Sequence, residues 1–375
     1  MKNKKPKTSH TISSRFAGVL VVFIAFCFLG CGSKSPQAKQ NPNSKAEPER
    51  YGYAPITVDR VKILELLREK KYTEIETQIN SYQASMEKDV HNEDNFWEAF
   101  ETFDIDDPSL LDPLNDWVKQ SPQSWVPLAA RGQYLIAKGY LARGSEFADK
   151  TSNEQFKGME EWFDKATLDA RAAIKLNPKA LISFDELIEV SKNQADMGQS
   201  RVLLDEELKV SPYSFGARTA YILNLAPRWG GSYDEMDNFA KEAQKFVDKN
   251  AKLQLLLGYV DFDRGRTAFN DGDPDAAIKF FTKALTYGDH WLFYSTRGGM
   301  YNQIKQYRVA LPDFEKALAL RPQHVDTLCQ RAFARLKVRQ IAGANADAVL
   351  ANKLDPANAF AADWVDQLKK LQKKQ

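Results

Sequence analysis

Apolar residues recur every three or four positions along most of this chain from Tyr51 onward, interrupted by short polar or Pro-containing breaks. Val58, Val61, Leu64 and Leu67 form one stripe, and Ile75, Ile79, Tyr82 and Met86 form another, on either side of a charged turn at Lys70-Lys71. This spacing predicts two antiparallel helices. Phe96, Trp97, Phe100 and Phe103 predict a third, and Leu110, Leu111, Leu114, Trp117 and Val118 a fourth that Pro108 and Pro122 bracket. Pro227 to Ser232 breaks the pattern with one Pro and two Gly, so it is expected to be a loop. Ser232 followed by Glu235 then predicts a capping box, with Met236, Phe239, Ala240, Ala243 and Phe246 as the buried stripe of the next helix. Phe360, Trp364, Leu368 and Leu371 mark a last helix, whose other face carries Lys369, Lys370, Lys373 and Lys374.

A longer period lies over the helical one. Pro178 and Pro212 are 34 residues apart, as are Pro322 and Pro356. Between Trp291 and Pro322 stand Tyr294, Gly298, Tyr301, Tyr307, Ala310, Phe314 and Ala317. Gly265, Gly272, Ala277, Phe281 and Ala284 form an earlier unit, whose Phe281 and Ala284 precede Phe314 and Ala317 by 33 residues. Ala351 and Pro356 are what a third unit keeps. The series resembles the tetratricopeptide repeat, a unit of ~34 residues. That resemblance implies an all-α fold, a tetratricopeptide-like α-solenoid of antiparallel helix pairs in which no pair buries its apolar face alone.

A second resemblance covers roughly Leu64 to Lys249. Trp117 to Pro122, Arg131-Gly132-Gln133-Tyr134, Arg143-Gly144, Ala172 to Pro178 and Pro227-Arg228-Trp229-Gly230-Gly231-Ser232 stand in that order. They are similar to the bacterial family called domain of unknown function 4034. No activity is established for that family, so the resemblance implies an architecture and no mechanism.

The N-terminus changes the picture from fold to location. Lys2, Lys4, Lys5, Lys7 and Arg15 precede an apolar run from Phe16 to Leu29, too short for the ~20 residues of a membrane-spanning helix. It ends in Gly30-Cys31 and resembles a bacterial lipoprotein signal, which implies cleavage after residue 30 and a lipid on Cys31. Phe28 stands where such signals most often have Leu. Residues 31–50, rich in Ser, Pro, Asn, Gln and Lys, are expected to be a disordered tether. Gly32 is similar to cargo sent to the outer membrane, facing the periplasm. Removing the leader's five basic residues leaves 47 basic against 50 acidic ones, which points away from nucleic acid. Cys31 and Cys329 are the cysteines left, so no disulfide is expected within the processed chain.

Candidate chemistry is sparse. His91, His290 and His324 show no metal-ligand spacing, and neither a metal nor another cofactor is expected. Asp271, Asp273 and Asp275 alternate like the start of a calcium loop, but Ala276 and Thr282 stand where Gly and Glu belong, so a helix-to-helix turn is the better reading. Asp104, Asp106, Asp107 and Asp112 read as a solvated helix start. Arg228 and Trp229 could pair an anion and stack a ligand, against the plainer reading of a packed Trp and a capping Arg.

The inward face of the repeats is the stronger candidate, read by position as Phe262, Arg266, Phe269 and Asn270, then Ser295, Asn302 and Gln303, then Cys329, Phe333 and Lys337. Its aromatic and amide mixture suits a peptide or a partner helix. Some tetratricopeptide domains clamp a C-terminal carboxylate with Lys, Asn, Asn, Lys and Arg. The matching positions here are Phe262, Arg266, Thr296, Asp326 and Gln330, so the resemblance does not extend to that clamp. These residues divide into 1–30 signal peptide, 31–50 tether, 51–250 helical domain and 251–375 repeats with a terminal cap. The expected function is a non-enzymatic, lipid-anchored adaptor for another envelope protein. A ligand-binding or hydrolytic module at Arg228-Trp229 is the alternative, and an assembly factor pairing through its open end is a third possibility.

Overall fold

The computed structural model describes residues 47–144, 148, 150–194 and 196–372. The expected signal peptide, Cys31 and most of the tether lie outside the described residues, as do Lys373 and Lys374. The described chain falls into two compact units, residues 51–263 and residues 264–372, with 47–50 grouped with the second. All regular structure among the described residues is helical.

The first unit holds α1 (Arg60–Arg68), α2 (Tyr72–Lys88), α3 (Glu93–Glu101), α4 (Leu111–Gln120), α5 (Val126–Arg143), α6 (Asn153–Leu176), α7 (Leu181–Asn193), α8 (Met197–Val210), α9 (Gly216–Asn224) and α10 (Tyr233–Ala243). The boundary between the units falls inside α11 (Gly258–Asn270). The second unit continues with α12 (Pro274–Ala284), α13 (Trp291–Gln303), α14 (Tyr307–Leu320), α15 (Val325–Lys337), α16 (Ile341–Leu354) and α17 (Ala359–Gln372).

Two kinds of turn join these helices, and both recur across the chain. Within a pair, one residue takes the left-handed conformation: Lys70, Gly272, Lys305 and Arg339 have φ of 59°, 81°, 61° and 65°. The amide after each reaches back five residues, as in Lys71 N to Leu66 O and Gln306 N to Tyr301 O, which satisfies a carbonyl that the helix end would otherwise leave open. Between pairs, a Pro follows the last helical residue and its cap. Ser121, Asn177, Ser211, Arg321 and Asp355 each donate their amide to the carbonyl four residues back, at 2.8 to 3.0 Å. The Pro that follows has no amide to continue the helix, and the chain reverses. The 34-residue spacing from Pro178 to Pro212 and from Pro322 to Pro356 is the distance between successive reversals of this kind.

Small residues set how closely paired helices approach. A Cβ at Gly298 would lie 2.8 Å from the Phe314 ring, and one at Gly265 would lie 2.6 Å from Phe281. In the next pair the equivalent positions are Ala332 and Ala348, both fully buried, so the ring and its glycine are replaced together. In the first unit Gly139 serves Phe163 in the same way, at 2.5 Å. The first unit's core is aromatic: Trp117 is fully buried, stacks on Tyr72 with 5.7 Å between centroids, and donates its indole N–H to Glu76 at 2.8 Å. Each such side chain contributes about 1.5–3 kcal/mol by leaving water.

Two local expectations need correction. The Ser232 oxygen accepts from the Glu235 amide at 3.1 Å, but the Glu235 carboxylate accepts from the Ser232 hydroxyl at 2.8 Å instead of from the backbone, so the box is only half formed. Asp106 and Asp107 are not simply solvated, since Lys138 and Arg68 pair with them at 2.9 and 2.8 Å. By contrast, Asp273 caps α12 through the Ala276 amide at 2.9 Å, as a turn residue should.

Candidate functional site

In the second unit, α13 and α15 are the first helices of successive pairs and pack side by side. The Ser295 hydroxyl meets that of Thr327 at 2.7 Å, and Asn302 Nδ2 donates to the Gln330 carbonyl at 3.0 Å. Cys329 Sγ lies 3.6 Å from Asn358 Oδ1 in the turn before α17. Ser295, Asn302 and Cys329 are therefore buried stitches between neighbouring pairs. Burial also pushes the Cys329 thiol well above its ordinary range, which keeps it in the neutral form.

The remaining inward candidates are distributed unevenly. Gln303 and Lys337 are exposed, and Phe333 is half-buried, edge-on to Tyr307 with the Lys337 ammonium 5.0 Å from its ring centroid. Leu336, which position in the repeat had not singled out, is 37% exposed beside Lys337. Within α11, Asn270 is exposed and Phe269 half-buried, while Arg266 is buried and its guanidinium is pulled down to about 10 by desolvation. Phe262 belongs to the first unit, where its buried ring meets Tyr259 edge-on at 6.0 Å. Gln303 and Lys337 are thus exposed and Phe333 half-buried, whereas Phe262, Arg266, Ser295 and Asn302 are inside.

The Arg228-Trp229 loop is engaged within the first unit. Pro227–Trp229 forms one turn of 3-10 helix, closed by Gly230 in the left-handed region. Arg228 forms an ion pair with the buried Asp263, and the ammonium of buried Lys192 lies 4.9 Å from the Trp229 ring centroid. Lys192 also pairs with Glu189 at 2.5 Å, which accepts in turn from Tyr140. A Cβ at Gly231 would strike the Leu225 carbonyl at 2.3 Å, which explains the second glycine.

A buried polar cluster in the first unit has no counterpart in the sequence patterns. Fully buried Glu93 accepts from the Tyr53 hydroxyl, the Ser214 hydroxyl and, at 2.9 Å, the Phe215 amide. Asn250 donates at 2.7 Å to both the Tyr53 oxygen and the Tyr213 carbonyl. Burial, opposed by Lys252, Ser214 and Tyr53, raises the Glu93 carboxyl, and desolvation raises Asp185, Glu186 and Glu207 further. The only sequence hint for Glu186 is Gly132, where a Cβ would stand 2.7 Å from its carboxylate. Among the described residues no group of three or more His, Cys, Asp or Glu could hold a metal ion, and no helix is long and apolar enough to cross a membrane.

Residues 59–207 match the model of the family described as Domain of unknown function (DUF4034). Heat shock protein STI1 of Saccharomyces cerevisiae is 28% identical over 111 residues, which are 29% of this chain and 19% of that protein, so the chain spans about a fifth of its length. Two solved structures are similar: the first TPR of Spaghetti (RPAP3) bound to an HSP90 peptide, and pilF of Pseudomonas aeruginosa. The first is 24% identical with a TM-score of 0.29, covering 31% of this chain and 92% of its own. The second is 13% identical with a TM-score of 0.34, covering 56% and 91%. With the recurring turns and small-residue contacts described above, the described residues have a tetratricopeptide-like all-α fold of antiparallel helix pairs, and residues 59–207, within the first unit, are similar to the domain of unknown function 4034.

Proposed function

We propose that this protein is a non-enzymatic, lipid-anchored adaptor that holds a segment of another cell-envelope protein on the inward face of its C-terminal repeats, within residues 251–375. The observation that carries this reading is the locked pair α13 and α15. Their Ser295–Thr327 and Asn302–Gln330 contacts hold the two helices side by side, and Gln303, Leu336 and Lys337 on them are exposed with Phe333 half-exposed, which supports a face available to a partner. An aromatic ring and an aliphatic side chain beside an amide and an ammonium suit an extended peptide or an amphipathic helix. In this reading Cys31 carries the lipid at the outer membrane, and the segment after it is a tether reaching about 25 Å toward the periplasm.

Arg266 and Asn302 are unsuitable probes of that face, because substituting a buried residue disturbs packing whatever its role. The test combines Gln303→Ala, Phe333→Ala and Lys337→Glu in the full chain and compares capture of a specific envelope protein with the parent. Loss of capture with unchanged helical content is expected. Undiminished capture overturns the inward-face assignment. Separately, Cys31→Ser should remove a radioactive fatty-acid label, and persistence of the label overturns the anchor. Arg228 and Trp229 have Asp263 and Lys192 as partners inside the unit, so that loop is engaged by the protein's own side chains.

A further inference from the structure

A cavity of about 350 Å³ opens on the first unit where α4, α5 and α6 meet. Its apolar lining is Leu111, Leu135, Trp162 and Leu168. Leu168 is 70% exposed, the most of any large apolar side chain described, while Met159 and Phe163 of the same helix are buried. With Leu111, Leu135 and Trp162, Leu168 makes one contiguous apolar patch rimmed by Asn115, Arg131, Lys165 and Asp169, the arrangement that marks an interaction surface.

The polar side of this groove is already built. Arg131 donates through Nε and Nη2 to Asp169 at 2.7 and 2.8 Å and through Nη1 to Asn115 at 2.9 Å, so one guanidinium ties the three helices together. A partner meeting this wall loses little freedom in ordering it. Arg131 also neutralises Asp169. The net charge of the lining is therefore that of Lys165, whose ammonium rests 4.5 Å from the Trp162 ring centroid and pairs with no carboxylate among the described residues. The depression is shallow and half open to solvent, which suits one bulky side chain laid on it and not an enclosed cofactor.

From this geometry we propose that the groove docks a protein segment presenting a bulky apolar side chain next to an Asp or Glu. The apolar side chain enters between Leu111, Leu135 and Leu168, and the carboxylate pairs with Lys165. Charge selects the partner. A nucleic acid would require several cations in place of one, and the Trp162 face that a sugar would stack on is covered by Lys165. The groove lies in the segment matching the domain of unknown function 4034 and is independent of the inward face of the second unit.

The probe is a fluorescein-labelled, C-terminally amidated Glu-Glu-Leu-Phe-Glu-Glu peptide, titrated with the full chain and read by anisotropy. Saturable binding is expected, weakened at least tenfold by Leu168→Asp and by Lys165→Glu. A Lys-flanked counterpart should bind the Lys165→Glu variant more tightly than the parent. Both residues are exposed, so the thermal melts of the variants should match the parent. No saturation up to millimolar peptide, equal affinity in both variants, or loss of binding on Phe333→Ala instead each overturns the proposal. Full competition by N-acetyl-leucine at the peptide's own concentration would mark a small-molecule site and overturn it too.

Discussion

Arg297 grips Asp313 with two parallel hydrogen bonds, Nε to Oδ2 at 2.8 Å and Nη2 to Oδ1 at 2.7 Å, and both side chains are buried. The same clip recurs 34 residues later between Arg331 and Asp347, at 2.9 and 2.7 Å. In each case the Arg is on the first helix of a pair and the Asp on the second, so the clip sets the register of the pair. Asp313→Ala leaves a buried guanidinium uncompensated and should cost about 3–5 kcal/mol, whereas replacing both members by Met and Leu should cost far less. Urea titration of the two variants checks this. Equal losses would show that the pair acts through its volume alone.

The left-handed turn residues offer a gain in stability. Lys305 and Arg339 occupy a conformation that costs an L-residue roughly 1–2 kcal/mol, in a turn where the preceding repeat has Gly272. Lys305→Gly and Arg339→Gly should each stabilise by about 0.5–1 kcal/mol after the extra entropy of glycine is subtracted. Gly272→Ala should destabilise by about 1 kcal/mol. The midpoints of thermal unfolding report all three, and a drop on Lys305→Gly would count against the strain argument.

Stability should also fall as the pH rises, because of the acids inside the first unit. Burial, then repulsion from Asp185 and Glu93, raises the Glu207 carboxyl well above its ordinary range, with Arg218 opposing. An unfolded glutamate titrates near ~4.3, so the folded chain holds a proton that the unfolded chain releases above that pH. The contribution is complete below about pH 4 and is lost as the pH climbs toward the raised folded value. Glu207→Gln should therefore leave the melting point nearly unchanged at pH 4 and raise it at pH 8. Parallel pH profiles for parent and variant would exclude Glu207 as a source of the slope.

What the sequence made legible was whatever a repeat position dictates. Gly298 and Phe314 announce a close helix crossing, because a ring packs that near only where the Cβ is missing, and Pro178, Pro212, Pro322 and Pro356 announce reversals, because Pro has no amide to continue a helix. Burial on the inward face was not legible. Ser295 and Asn302 hold inward positions, yet their polar atoms bond the neighbouring helix, and whether an amide faces a groove or a neighbour depends on the rotation between pairs. Long-range partners were equally silent, since nothing near Glu93 names Ser214, which is 121 residues away. The Arg228-Trp229 loop stood out for its composition, and Asp263 then supplied the partner that a ligand had been invoked for.

Asn250 joins three strands of that hidden network. Its amide nitrogen serves Tyr53 and the Tyr213 carbonyl, and its oxygen accepts from the Lys252 amide at 3.1 Å. Asn250→Ala abandons buried groups at Tyr53 and Tyr213 and should cost about 1–3 kcal/mol. Asn250→Asp keeps the shape and the cap but replaces the donor with a carboxylate close to Glu93, whose own carboxyl is already raised by burial. An acid there is tolerable while protonated, since its O–H can donate to Tyr53 in place of the amide. Its cost should therefore be small near pH 4 and exceed that of the Ala variant at pH 8. A crossing of the two variants' stability curves between those values, followed by circular dichroism melts, is the expected signature. Curves that never cross would mean that Asn250 acts by its cap to Lys252, which the Asp variant retains.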